Sequence, residues 1–307
     1  MKKLFLASAL CVAALSSCND DTDPVAGQVE SIPMEVQAFI DGGNNESRVG
    51  WTGDKTTWQS GDAMGLFVYK GTWGTTYNSV GPNVKSTYTT KWAQTPAVNM
   101  TADKAQVWAY YPYNEKAGDG KKVPVDLTTD YLYGTNGSAS VSTANPNVKI
   151  GMKHALTQFV LRMKKSPEYK DKGILTEIKL VSTQAELGKT GTMDIQNNGL
   201  ITPISPATAI AYQSLQETFP SADTPVDYAA LLFPMTSTAN LTLHVTIDRV
   251  PYTYKIPNVK WEAGKKNVYS VVLKSNGIVI GGETGKDITI ESWGPGVNAD
   301  VTLKPVQ

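Results

Sequence analysis

The chain has 307 residues, with 28 Lys and Arg against 28 Asp and Glu, two histidines and a formal net charge of zero. Such a balance supplies no basic footprint, so nucleic acid is excluded as a partner. Only 18% of residues are charged, while Thr, Gly, Tyr, Trp and Val are plentiful, a composition that fits pleated sheets and tight turns, so the expected fold class is all-β.

At the start, Lys2 and Lys3 precede an apolar run over residues 4–14 that ends in Leu15-Ser16-Ser17-Cys18. The run falls short of the roughly 20 residues that span a bilayer, and the small residues before Cys18 suit a signal peptidase. Residues 1–18 are therefore expected to be a lipoprotein signal peptide, with Cys18 as the acylated, palmitate-bearing first residue of the mature chain. Cys11 falls inside the leader and acylation occupies the sulfur of Cys18, which excludes a disulfide framework and any thiolate site. Residues 19–30 read as a flexible acidic tether. Their Asp20, Asp21 and Asp23 lack the spacing and the glycine of a calcium loop.

What remains exceeds one β core, so two domains of about 140 residues each are expected. Met34, Val36, Ala38 and Ile40 alternate with Glu35, Gln37 and Phe39, which predicts a half-buried strand ahead of the turn-rich Asp41-Gly42-Gly43-Asn44-Asn45. Short β-like runs follow at 64–69, 107–111 and 123–127. The loop-like stretch 134–146 precedes a renewed pattern from His154, with Ala155, Phe159, Leu161 and Met163 on one face and Gln158 and Arg162 on the other. The expected N-terminal β-sandwich domain is 31–150 and the C-terminal one 151–307. In the latter, Leu241, Leu243, Val245 and Ile247 alternate cleanly with Asn240, Thr242, His244 and Thr246. Further strands are expected at 229–233, 252–256, 268–273, 278–280 and 288–290, and finally over Val297, Ala299, Val301 and Leu303.

The marks of catalysis are weak. His244 falls on a polar strand face and His154 at a strand start, with no G-x-S-x-G turn near either. Acidic residues such as Asp54 and Asp62 sit in turns, no dinucleotide or phosphate fingerprint occurs, and no catalytic residue, metal site or cofactor is expected. Aromatic clusters at Trp51 and Trp58, at Trp73 and Tyr77, and around Trp108, Tyr110, Tyr111 and Tyr113 could bind sugar rings or pack on strand ends.

Several segments resemble a known family. Arg48 to Trp51 followed by Trp58-Gln59-Ser60-Gly61-Asp62-Ala63-Met64-Gly65-Leu66-Phe67 is similar to the opening of fimbrillin-like proteins of Bacteroidales. Ala109-Tyr110-Tyr111-Pro112-Tyr113, His154 to Leu161, Tyr228 to Pro234 and Trp261-Glu262-Ala263-Gly264 through Tyr269 look like later family segments in the same order. The resemblance covers nearly the whole mature chain. It implies two transthyretin-like β-sandwich domains in tandem and a structural, non-enzymatic subunit of a surface fimbria or pilus. Such a subunit is exported as a lipoprotein and assembled with other fimbrial subunits after a protease removes an N-terminal strand.

Parts for each role are present. The strand over residues 34–40 is removable, and Arg48, one of three arginines, lies in an exposed Gly/Asn/Ser-rich stretch open to a trypsin-like protease. The tail carrying Val297, Ala299, Val301 and Leu303, hinged by Gly294-Pro295-Gly296, is a candidate donor strand or the last strand of the second sandwich. The acidic residues after Cys18 resemble a surface-export signal, which would place the lipid in the cell outer membrane facing outward. Two other readings stand beside this one: an anchor subunit that keeps its lipid, and a monomeric surface lipoprotein that binds host or bacterial glycans through Trp73 or Trp108. An envelope hydrolase would need two carboxylates, or a serine and a histidine, converging in a cleft.

Overall fold

The computed structural model describes residues 32–41, 55–138, 140–212, 217–218, 225–274, 277–280, 289–292 and 304–305. Strands dominate them, in keeping with the all-β expectation. The first half supplies β1 (Ile32–Pro33), β2 (Glu35–Ile40), β3 (Ala63–Lys70), β4 (Val84–Tyr88), β5 (Trp92–Thr95), β6 (Asn99–Met100) and β7 (Ala105–Tyr111). It ends with β8 (Val123–Asp126), β9 (Leu132–Thr135) and β10 (Asn147–His154).

A seven-stranded sheet runs in the order β2-β10-β9-β7-β3-β4-β5, while β1 pairs with β6. Its ladders are antiparallel except at the edge, where β2 lies parallel to β10. The sequence of β3 is apolar on both faces, so each face must be covered. Met64, Leu66 and Val68 enter one core with Met34, Val36, Val107, Leu132, Val148, Ile150 and Met152, whereas Phe67 and Tyr69 enter another. The loop 136–146 joins β9 to β10 within this sheet, and the chain leaves it at Ala155 and Leu156.

The second half supplies β11 (Thr157–Lys165), β12 (Ile174–Ser182), β13 (Leu187–Gly188), β14 (Thr190–Asp194), β15 (Leu200–Pro203), β16 (Pro206–Ala207) and β17 (Ala209–Tyr212). Then come β18 (Glu217–Thr218), β19 (Val226–Leu232), β20 (Leu241–Ile247), β21 (Val250–Lys255), β22 (Lys265–Lys274), β23 (Gly277–Ile280), β24 (Thr289–Ser292) and β25 (Lys304–Pro305). One sheet runs β19-β11-β22-β23, with β24 also on β22; another runs β17-β12-β20-β21-β25, with β18 also on β12. They sandwich a core of Phe159, Leu161, Leu180, Leu243, Val245, Trp261 and Tyr269. The alternation of β20 is expressed residue by residue, with Leu241, Leu243, Val245 and Ile247 buried and the residues between them half-exposed.

β11 departs from the expected one-faced pattern. Residues 157–161 are all buried: Phe159 and Leu161 enter the sandwich core, while Val160, on the other face, packs with Ala229 of β19 and Val268 of β22. Its polar members are satisfied locally: Asn267 donates through Nδ2 to Thr157 Oγ1 at 2.9 Å and to the Gln158 carbonyl at 3.1 Å, and Arg162 pairs with Asp227 across the ladder. Ala155 also departs. It joins Phe67, Tyr110, Val123, Met193, Leu231 and Phe233 in a core drawn from both halves rather than the core of Phe159 and Leu161. Beside that mixed core, β8 from the first half pairs with β14 from the second, in a small sheet β15-β14-β8.

Candidate functional site

The expected strand over residues 34–40 is present as β2 and its approach, and it is the edge strand of the seven-stranded sheet. Met34 and Val36 are buried, Ala38 and Ile40 are partly buried, and Glu35, Gln37 and Phe39 are exposed. The burial follows the period-two pattern of an amphipathic strand. Burying each large aliphatic side chain contributes roughly 1.5–3 kcal/mol, so losing this strand would bare an apolar slot floored by Val148, Ile150 and Met152 of β10.

One edge of β2 faces β10. Glu35 N donates to the Pro146 carbonyl and Asp41 N to the Met152 carbonyl, which places the backbone groups of the odd-numbered residues toward β10 and those of the even-numbered ones toward the opposite edge. That opposite edge is capped at two points. Met34 N donates to the Val98 carbonyl at 2.8 Å, and the indole Nε1 of Trp58 donates to the Ala38 carbonyl at 2.8 Å.

The segment holding Trp58 has anchors of its own. Lys55 N donates to Asp130 Oδ2 at 2.8 Å, the Lys55 ammonium pairs with Asp62, and Gln59 N donates to Asp62 Oδ2 at 2.6 Å. Trp58 packs edge-on against Trp92 at 4.9 Å and Tyr111 at 5.4 Å between ring centroids. Lys55 Nζ lies 5.6 Å from the Trp58 ring centroid and 5.3 Å from that of Tyr111, within cation–π range. Tyr111 donates to Asp62 Oδ1 at 3.1 Å; burial, aided by the Asp62 carboxylate, pushes its phenol up to about 12.

Cys18, Arg48, Val297, Ala299, Val301 and Leu303 lie outside the described residues. Just beyond the last of these, β25 pairs with β21 through Tyr252 and Thr253. β10, the floor of the slot, was not singled out from the sequence. The signal that could have found it is the alternation of Val148, Ile150 and Met152, half hidden by the Asn- and Pro-containing stretch before it.

Of the aromatic residues weighed as sugar platforms, Trp51 lies outside the described residues, while Trp58, Trp73, Tyr77 and Trp108 are engaged in packing. Trp73 and Trp108 meet edge-on at 5.0 Å, Trp73 also touches Phe67 and Tyr69, and Tyr77 is buried with its hydroxyl bonded to the Asp103 carbonyl. His154 closes β10 and is buried against Asp130. An open recess of about 930 Å³ is lined by two glutamates, Glu186 and Glu262. Glu186 accepts from Asn240, and the Lys260 ammonium holds the Glu262 carboxyl below its ordinary range, the opposite of what a general acid needs. Among the described residues no three His, Cys, Asp or Glu side chains gather as metal ligands do, and no helix is long and apolar enough to cross a membrane.

A family model described as "Fimbrillin-like" matches residues 47–293. The chain is 21% identical over 322 aligned positions to a Bacteroides uniformis protein named "Putative fimbrium subunit Fim1C", covering 96% of both. Among solved structures, a "putative cell adhesion protein" from Bacteroides ovatus superposes with a TM-score of 0.63 at 19% identity, over 87% of this chain and 99% of that one. One so described from Bacteroides uniformis gives 0.62 at 17%, over 86% and 99%. At these identities the structural matches establish a shared fold.

Proposed function

Because this chain belongs to the fimbrillin-like family, we propose that it is a structural subunit of a cell-surface fimbria, supporting adhesion and not acting as an enzyme. It is exported as a lipoprotein through Cys18 into the outer membrane. It then assembles with other fimbrial subunits by strand exchange, once a trypsin-like protease cleaves after Arg48 and releases β1 and β2.

The observation that carries the reading is the position of β2: an amphipathic edge strand with one sheet neighbour among the described residues, ending at Ile40 ahead of Arg48. Among the described residues, withdrawing β1 and β2 breaks the ladder to β10 and the two-residue pairing of β1 with β6, and the slot left behind offers unpaired backbone groups beside an apolar core, the acceptor for β-addition. The donor is the tail carrying Val297, Ala299, Val301 and Leu303. Donation from one copy to the next does not close, which produces a filament. The tandem arrangement of two transthyretin-like sandwich domains, 31–150 and 151–307, belongs to the same proposal.

Intact mass and N-terminal sequencing of surface material test it, comparing the native chain with Cys18→Ala and Arg48→Ala. A Val49 start in high-molecular-weight material, lost in Arg48→Ala, is the expected result. Monomeric material that begins at a lipid-bearing Cys18 would overturn strand exchange and indicate an anchor subunit or a simple surface lipoprotein.

A further inference from the structure

We propose that Trp58 is a clasp that fixes the register of the strand entering the place of β2, and that the strand it fits is residues 297–303 of a second copy, with Ala299 where Ala38 now lies. The inference rests on the strand-exchange reading above.

The slot has two walls that read backbone. β10 is one, and the indole N–H of Trp58 is the other, bonded to the outward carbonyl of Ala38. Trp58 follows the candidate cleavage point, and the contacts of its segment to Asp130, Asp62, Trp92 and Tyr111 involve no residue of β1 or β2. When β2 departs, the indole therefore keeps its place and its donor is left without an acceptor. An unpaired donor covered by an entering strand costs about 1–3 kcal/mol, so the strand is favoured in the registers, two residues apart, that turn a carbonyl toward the half-buried indole.

Side chains narrow the choice. Ala38 and Trp58 pack on the same apolar cluster, and a small side chain at that position leaves room for the indole. The inward residues Val36, Ala38 and Ile40 are matched, in the same direction and spacing, by Val297, Ala299 and Val301. In this register Asp300 replaces Phe39, an exposed phenyl paired with Gly151. Its neighbours two residues either way on β10 are the exposed Lys149 and Lys153. An aspartate flanked by two lysines suits that face better than a phenyl in water.

Cysteine pairs decide the question. Neighbouring strands lie about 4.8 Å apart, within the Cα separation a disulfide spans, and Ala38 is the register partner of Ile150. In cells exporting the full chain, Ile150→Cys is combined in turn with Val297→Cys, Ala299→Cys or Val301→Cys, and oxidised surface material is resolved without reductant. The Ala299→Cys pair is expected to give roughly five-fold more cross-linked ladder than the others, because only a small residue leaves room for the indole, with Trp58→Ala levelling the three yields. Ala299→Leu, which leaves the slot untouched, is expected to reduce polymer about as much. Equal yields with Trp58 in place, a preference that survives Trp58→Ala, or undiminished polymer from Ala299→Leu would overturn the clasp while strand exchange stands. Polymer lacking all three cross-links would overturn residues 297–303 as the occupant. A native chain that is cleaved yet stays monomeric would overturn strand exchange itself, and the clasp with it.

Discussion

His154 Nδ1 lies 2.9 Å from both carboxylate oxygens of Asp130, with side-chain exposures of 2% and 1%. The same carboxylate accepts the backbone N–H of Lys55, so one buried pair ties the end of β10 to the start of the segment that carries Trp58. Asp130→Ala is expected to cost about 3 kcal/mol, the scale for breaking a buried pair from one side, and to hasten tryptic cleavage after Arg48 by freeing Lys55. Urea unfolding and timed digestion measure both; a loss under about 1 kcal/mol with unchanged digestion would refute this account.

Gly65 occupies a position where no other residue fits. A Cβ there would fall 2.0 Å from the Tyr110 ring and 2.7 Å from Asn83 Oδ1, and Tyr110 is held in place by Asn83 at 2.7 Å and by the Asn114 carbonyl at 2.8 Å. Gly65→Ala is expected to destabilise by about 3 kcal/mol, the upper part of the range for overpacking a core. A thermal midpoint within a degree of the native chain would contradict it.

Stability is expected to fall in alkali. The Tyr111 phenol is raised from its ordinary value to about 12, and burial pushes Tyr110 and Tyr269 higher still. A raised folded-state value means the neutral form is preferred in the fold, so this contribution is complete below about pH 10 and is lost as pH rises through the folded value. Urea midpoints at pH 9, 10, 11 and 12 should decline over the last steps. Tyr111→Phe should flatten part of that decline; an unchanged slope would show that the phenol does not contribute.

Trp108→Ala separates packing from sugar recognition. Its indole meets Trp73 and Tyr69 at 5.0 and 6.1 Å, so truncation is expected to cost about 3 kcal/mol of folding stability. No saturable glycan binding should be lost with it. A fully stable variant that loses sugar binding on a glycan array would favour the lipoprotein alternative.

Local periodicity made the strands around Val36 and Leu243 legible, because each presents one consistent face to a core, and the strands around Leu66 and Val107 were legible as short apolar runs, with both faces covered. Long-range pairing was not legible. Nothing in residues 123–126 indicates that they will join Thr190–Asp194, since register between distant strands is decided by packing. Nor did alternation reveal that β11 would be covered on both sides, or that Gln158 and Asn267 would be buried; their polarity suggested water, and their partners lie about a hundred residues away. For the slot, the sequence displayed the strand that fills it but not the Trp58 bond to Ala38, a contact between residues 20 positions apart.

The β8–β14 pairing has a mechanical side. If subunits exchange strands as proposed, a pull on a fimbria under shear would enter each subunit through the strand seated on β10 and leave through its C-terminal tail. Between those points tension crosses from one half to the other along the covalent chain at Ala155 and Leu156, and beside it through the four register pairs from Thr190↔Asp126 to Met193↔Val123. Stretching a subunit must unzip those pairs and wet the mixed core of Phe67, Tyr110, Met193 and Phe233 before its halves separate. That small sheet would set the extension at which the filament yields.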